Sequence, residues 1–584
     1  MRILFLGRHY TYFRNFESVI ATLAERGHAV HAAVEHGDSL GGRAMIEALA
    51  ARFPDRVTFG ESPVRSADDA WGDVATWIRL GLDYQRYQHP LYDDAPRLRE
   101  RAADRTPDLF VRLSRVPVGR GWFGAAQRTV LSRLERALPD DAAVRAYLEA
   151  QRPDLLLITP LVGLGSSQID YLRVARAMGI PTALCVWSWD HLSSKALIRE
   201  WPDRVFVWND TQKREAVELH GVPPARVVVT GAQCFDHWFD RRPSRDRAAF
   251  CAAAGIPADR PLVVYVCSAL LQGSPPEAPF VVDWIRRLRA SASPQLASAA
   301  ILVRPHPSRL SEWDGLDLTP LGPVALWGRN PVDAQSRNDY FDTLFYASVV
   351  AGLNTSAFIE AGIVGRRVCT VLVPEFYENQ MGTLHFHYLR SVGGGLLTVA
   401  DDFSQHLAQL AAALEDPAPP ASDFVREFVR PQGLTTPATG IFTGAVEGMR
   451  ELTAAPVVPA SAPWPSLLSA IRAARRRGWF ERWFLSAREY GSVAALRAAS
   501  VTKHEHNLTV ARTREAQQRA RTDDRRRREA EKTARQGAHE AAKRRRAEAH
   551  RAQKARARRR FRLSQGWQSV SRRVFGTPRA PEER

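Results

Sequence analysis

Four stretches of this chain put ionisable or hydroxyl side chains directly behind an apolar run. LFLGRHY carries Arg8 and His9, and VWSWDHLSSK carries Asp190 and His191 with Lys195 within two turns. ILVRPHP carries Arg304 and His306, and GLNTSAFIE carries Asn354, Thr355, Ser356 and Glu360. A neutral imidazole or a carboxylate at such a point can take the proton of an attacking hydroxyl, which contributes roughly 10² to 10⁴ in rate. Which of His9, Asp190 and His191 is the base stays open on spacing alone. Hydroxyls and amides at a helix start, with an Arg nearby, suit a phosphate. Glu360 stands one turn on from Ser356, so it can face the same ligand and accept hydrogen bonds from ribose hydroxyls. The bland alternatives are a plain N-cap at Asn354 to Ser356, a solvated helix face at Glu360 and a structural turn at His306.

The elements that must hold these groups follow from hydropathy. Apolar runs at 3–7, 29–34, 154–160, 181–187, 204–208 and 226–231 alternate with amphipathic segments, and a second series begins after DRRPSRDR, at 261–268, 299–307, 347–353 and 366–374. That alternation predicts an α/β chain of two facing Rossmann-like domains, whose ligands bind at the carboxyl ends of the strands. FRNFESVIATLAERGH, residues 13–28, reads as a first helix, with Phe16, Val19, Ile20 and Leu23 on one face and Gly27 as its stop. Residues 66–150 break the rhythm as a helical insertion, and its Trp71, Trp77, Tyr84, Tyr87, Trp122 and Phe123 read first as core. The expected domains are 1–240 for the acceptor, 241–455 for the nucleotide donor, and 456–584 for a linker and basic tail.

Residues 352–380 resemble the donor-binding segment of GT-B glycosyltransferases: a G-x-N-S/T turn, a Glu in the next helix, a Gly, a strand, a Pro and a closing acidic or amide residue. Asn354, Ser356, Glu360, Gly365, Pro374 and Gln380 match in order. The resemblance implies Thr355 and Ser356 on the phosphates, Glu360 on the ribose, and Glu378 or Gln380 on the transferred group. ILVRPHP is similar to the H-P turn of CDP-glycerol glycerophosphotransferases and UDP-N-acetylglucosamine 2-epimerases, which implies Arg304 on phosphate and His306 on phosphate or in proton transfer. His9 resembles in position the catalytic histidine of many inverting GT-B enzymes. Ser268 and Gln272, behind VVYVCS, are a further place to meet phosphate.

The net charge of +18 is unevenly spread. From Pro465 onward there are 33 Lys+Arg against 12 Asp+Glu, so the preceding body carries a net −3. A nucleic-acid enzyme is disfavoured, since the body where a groove would lie is not basic. The tail, with Arg475 to Arg477 against Trp479, Phe480, Trp483 and Phe484, suits an anionic membrane surface engaged through residues 466–573. Five scattered cysteines and no long apolar run fit a cytoplasmic protein, peripheral at the inner face of the membrane. Without a D-x-D triplet, catalysis is expected to need no metal and no cofactor beyond the nucleotide-sugar co-substrate. The function expected is sugar transfer from a nucleotide-sugar donor to a glycan or lipid-linked acceptor in cell-surface polysaccharide synthesis. The alternatives are CDP-glycerol-type glycerophosphotransfer, nucleotide-sugar epimerisation, or a non-enzymatic scaffold that binds polyanions or membranes through its tail.

Overall fold

The structure, a computed structural model, describes residues 1–37, 41–65, 71–114, 120–271, 273–416, 422–454 and 460–476, with 553 and 556. The chain divides into two compact units, Met1–Glu489 and Tyr490–Arg584. Gln272 and nearly all of the basic tail lie outside the described residues.

Two wholly parallel sheets organise the first unit. One contains β1 (Arg2–Gly7), β2 (Ala29–Val34), β3 (Val57–Glu61), β4 (Leu155–Thr159), β5 (Thr182–Cys185), β6 (Arg204–Val207) and β7 (Val227–Val229), in the order β3-β2-β1-β4-β5-β6-β7. The other contains β8 (Leu262–Val266), β9 (Ala300–Arg304), β10 (Val324–Leu326), β11 (Val349–Ala351), β12 (Val368–Val371) and β13 (Leu397–Ala400), in the order β10-β9-β8-β11-β12-β13. Both orders reverse beside the first strand of their sheet, the switch point at which open α/β sheets hold ligands. The central strands β1, β4, β8 and β9 are buried almost throughout, because helices cover both faces of a parallel sheet.

The insertion is helical, as its pattern predicts, and Trp77, Tyr84 and Tyr87 are buried in it; the Trp122 and Phe123 side chains lie outside the described residues. The helix Gly72–Arg86 also buries charge. Arg79 donates to Glu135 at 3.0 Å and Asp170 at 2.6 Å, and Arg199 pairs with Asp83 at 2.8 Å. Each partner is needed, since an unpaired charge at such depth costs several kcal/mol.

After the second sheet the chain crosses back, so the expected boundary at 455 is not where it changes lobe. Phe442 and Val446, on the helix Ala438–Glu447, join the core formed by Phe5, Phe16 and Ile20. Glu447 meets Arg26 at 2.7 Å and His28 at 2.9 Å. The helix Trp464–Arg476 then packs on the insertion through Leu468, which is 1% exposed, and Arg133 lies 5.2 Å from the Trp464 ring. Leu467 of the same helix is exposed, and Trp479, Phe480, Trp483 and Phe484, on which the membrane expectation rests, lie outside the described residues. Among the described residues no helix is long and apolar enough to cross a membrane.

Candidate functional site

In the first lobe the loops behind β1, β2, β4 and β5 converge. His9 begins the short helix Tyr10–Phe16 in extended conformation, with its ring 4.5 Å from that of Tyr12, which meets Trp187 edge-on at 4.8 Å. Glu35 follows β2 and accepts from Ser167 Oγ at 3.0 Å. Burial pushes its carboxyl up to about 7, against the pull of Ser167 and Arg8. Arg8 lies along the turn behind β4, where a Cβ on Gly163 would stand 3.0 Å from its Nη1.

Asp190 accepts from Ser188 Oγ, from Ser194 Oγ at 2.8 Å and from Lys195 Nζ at 2.8 Å. Burial opposes its ionisation, but Lys195, His385 and the hydroxyls outweigh burial and hold the carboxyl well below the usual range. It is therefore a fixed counter-ion to Lys195 and a weak base. His191 is fully buried; its Nε2 donates to the Pro160 carbonyl at 2.9 Å and its Nδ1 accepts from Trp187 N at 3.2 Å. Both nitrogens are spent on backbone, and burial lowers the ring to about 3, so His191 splints two loops and has no lone pair left for a substrate. His9 and the unforeseen Glu35 stand behind the neighbouring strands β1 and β2.

The second lobe gathers a different set. Arg304 ends β9 with 7% exposure, and its guanidinium lies 4.3 Å from the Tyr340 ring. Its Nη2 donates to the Arg329 carbonyl at 2.6 Å, while Nη1 is buried without an acceptor among the described residues. Gly328 makes room for it: a Cβ there would stand 2.1 Å from Nη1. Tyr340 donates to Glu360, whose carboxyl burial raises to about 7 against Tyr340, Arg304 and Arg14. Arg304 and Glu360 thus belong to one cluster, with Tyr340 between them.

Asn354 lies beyond β11; its Nδ2 donates to the Asn379 carbonyl at 2.6 Å, and its buried Oδ1 has no donor among the described residues. Thr355 Oγ1 accepts from Ala357 N at 3.4 Å, while the Ser356 side chain makes no cap bond and is exposed. His306 Nδ1 lies 2.8 Å from Ser308 Oγ and caps the segment Pro307–Trp313, and burial lowers its pKa.

Three expected ligand contacts have other partners. Ser268 is fully buried and braces the fold, its N–H donating to Glu277 at 2.7 Å and its Oγ accepting from Asn354 N at 3.2 Å. Gln380, equally enclosed, accepts from Val373 N at 3.1 Å and donates to the Val371 carbonyl at 2.9 Å, so it splints the loops behind β11 and β12. Glu378 pairs with Arg97 of the insertion.

The lobes meet across these loops. Arg14 Nη2 donates to the Pro331 carbonyl at 2.9 Å, Arg337 pairs with Glu17 at 3.1 Å, and His385 meets the Trp189 ring edge-on at 4.6 Å. In sequence His385 and His387 stand without carboxylates; in the fold Asp190 is close enough for its charge to act on His385, although burial still lowers that ring to about 4. His385 Nε2 is also 3.4 Å from Asn354 Nδ2. Among the described residues, no group of three or more His, Cys, Asp or Glu side chains is placed to hold a metal ion.

It is a two-lobed, doubly wound α/β fold. No protein-family model and no curated protein matches the chain. Solved structures similar to it include Anabaena Alr3699/HepE in complex with UDP, at 13% identity and TM-score 0.41 over 77% of this chain and 100% of that one. The Methanocaldococcus jannaschii UDP-GlcNAc 2-epimerase, in complex with UDP-GlcNAc and UDP, aligns at 12% identity and TM-score 0.43 over 77% and 99%. WaaG, a glycosyltransferase involved in lipopolysaccharide biosynthesis, aligns at 12% identity and TM-score 0.38 over 77% and 100%. At such identities and scores these likenesses carry no argument about activity, and the fold rests on the strand orders.

Proposed function

We propose that this chain is a GT-B-type enzyme acting on a nucleotide-sugar donor, and that it transfers the sugar to an acceptor hydroxyl. The observation that supports the reading is the cluster of Arg304, Tyr340 and Glu360, the last one turn beyond Ser356, with Arg14 of the other lobe close enough for its charge to act on Glu360. Arg304 Nη1 and the Ser356 hydroxyl would receive the diphosphate, and Glu360 would accept from the ribose. A buried guanidinium already stripped of water stabilises charge arriving on the leaving diphosphate at no further reorganisation cost. On the opposite side His9 or Glu35 would take the acceptor proton, and the pair Asp190 and Lys195 would fix the shape of that wall.

The test is a thermal-shift panel of the full chain with UDP, GDP, CDP and dTDP and their sugars, repeated on Glu360→Ala. One nucleotide should raise the melting temperature selectively, and the substitution should remove most of that rise. No shift with any of them would overturn the reading. Product analysis with donor alone then separates two chemistries on the same site, because formation of an epimer without acceptor would replace transfer by epimerisation.

A further inference from the structure

A cavity of about 730 Å³ opens where the insertion, the first lobe and the second lobe meet, outside the groups considered so far. Its volume is within the range of about 300–1,000 Å³ that small-molecule sites occupy. One wall belongs to the helix Asp210–Glu218, another to the insertion around Pro90 and Leu91, and the third to residues 381–388. That third wall is continuous with the cleft: Thr383 Oγ1 is 3.4 Å from Asn354 Nδ2, and Leu384 adjoins His385.

The chemistry of the lining is specific. Leu91, Leu219, Met381 and Leu384 offer apolar surface, and Leu91 is 47% exposed. Arg214 is the lone Arg or Lys among the lining residues, which also include Asp94 and Glu218, so an anionic group would find no surplus of positive charge. The deepest charged group is Glu215, 4% exposed, which accepts from the Tyr388 hydroxyl at 2.7 Å. Burial raises this carboxyl to about 7, so near neutrality much of it is protonated and can donate to, as well as accept from, a hydroxyl.

We propose that this cavity is the acceptor pocket and that it takes an uncharged amphipathic molecule, an apolar body bearing a hydroxyl that reaches the cleft past Thr383. The assignment of the occupant as acceptor rests on the nucleotide-sugar reading above. It narrows the acceptor class, because a phosphate-bearing head would have to sit against Asp94 and Glu218.

The probes are n-octyl β-glucoside and n-octyl phosphate, equal in chain length and opposite in charge character. Both are titrated below micelle formation into the full chain by calorimetry, with nucleotide binding followed separately by thermal shift. Octyl glucoside should bind more tightly than octyl phosphate. Met381→Trp, which fills the third wall, should weaken octyl glucoside at least about tenfold, and Leu91→Trp on the insertion should do the same if the first variant misfolds. Retention of the nucleotide shift reports that the variants are folded. Equal or tighter binding of octyl phosphate, or octyl glucoside binding unchanged in both variants, would overturn the proposal. Loss of every nucleotide shift in the unaltered chain, with octyl glucoside still bound, would overturn the enzyme reading and leave the cavity's ligand class standing.

Discussion

The two sets of loops that face each other are built on opposite electrostatic plans. In the first lobe charge is answered locally: Lys195 by Asp190 at 2.8 Å, and the Glu35 carboxyl by Ser167 at 3.0 Å with Arg8 nearby. In the second lobe a charged group is left open, with Arg304 Nη1 buried and unanswered among the described residues beside Asn354 Oδ1, whereas Thr159 Oγ1 at the end of β4 and Trp187 Nε1 behind β5, also buried and unanswered, belong to uncharged groups. A buried polar atom without a partner costs about 1–3 kcal/mol and a charged one more, so the open donor of Arg304 is the place in these loops where an arriving anion would gain most. Self-answered pairs suit proton movement and shape, whereas unanswered atoms suit binding.

The substitution that should break this contrast most sharply is Arg304→Met. It removes the waiting donor, and nucleoside-diphosphate affinity by calorimetry should fall by on the order of 10², with the fold retained because Met can fill the space over Tyr340. Unchanged affinity would make Arg304 part of the scaffold alone.

Glu35→Gln probes the other lobe through pH. The folded carboxyl titrates near 7 against an ordinary 4.5, so between those values the folded state binds more protons than the unfolded one. Stability of the unaltered protein therefore falls as pH rises through that window, by up to roughly 3 kcal/mol. The Gln variant escapes this loss, and urea denaturation should show it gaining on the unaltered protein between pH 5 and pH 8. A constant difference would mean that Glu35 is not held as described.

The smallest effect is expected at Ser356→Ala. Its exposed hydroxyl makes no cap bond, so stability should stay within about 0.5 kcal/mol, while nucleotide affinity should drop a few-fold, about 0.5–1.5 kcal/mol. A loss of stability without loss of affinity would return Ser356 to a helix-start role.

What the sequence reveals of this molecule follows burial. The interior strands are continuous apolar runs and legible as such, but β3, β10 and β13 escaped notice. All three are edge strands, and VTFGE, VAL and LTVA lack the apolar length that burial on both faces demands. Within the site, Arg304 and Asn354 are picked out because a polar group at a strand's carboxyl end stands out against the run before it, and Glu360 by its place one turn beyond Ser356. Glu35 ends AVHAAVE in the same manner, and the positional argument that selects His9 would have selected it. His191, Ser268 and Gln380 show where that argument stops: spacing places a side chain near the cleft but cannot say whether it turns to the ligand or to the backbone. His385 and Tyr340 were out of reach for a different reason. One acquires its surroundings from the facing lobe, and the other lies on the helix Ala334–Tyr346, 20 residues ahead of its partner Glu360.

The return of the chain to its first lobe has a mechanical meaning. The two crossings are fastened to each other: Ala232 N donates to the Val429 carbonyl at 2.8 Å, and Asp236 takes Arg430 at 2.8 Å together with Thr439 N at 2.7 Å. They form a single axle rather than two separate tethers. Any swing of one lobe against the other must turn about that line, so the entrance farthest from Asp236 sweeps the widest arc while the residues beside it scarcely travel.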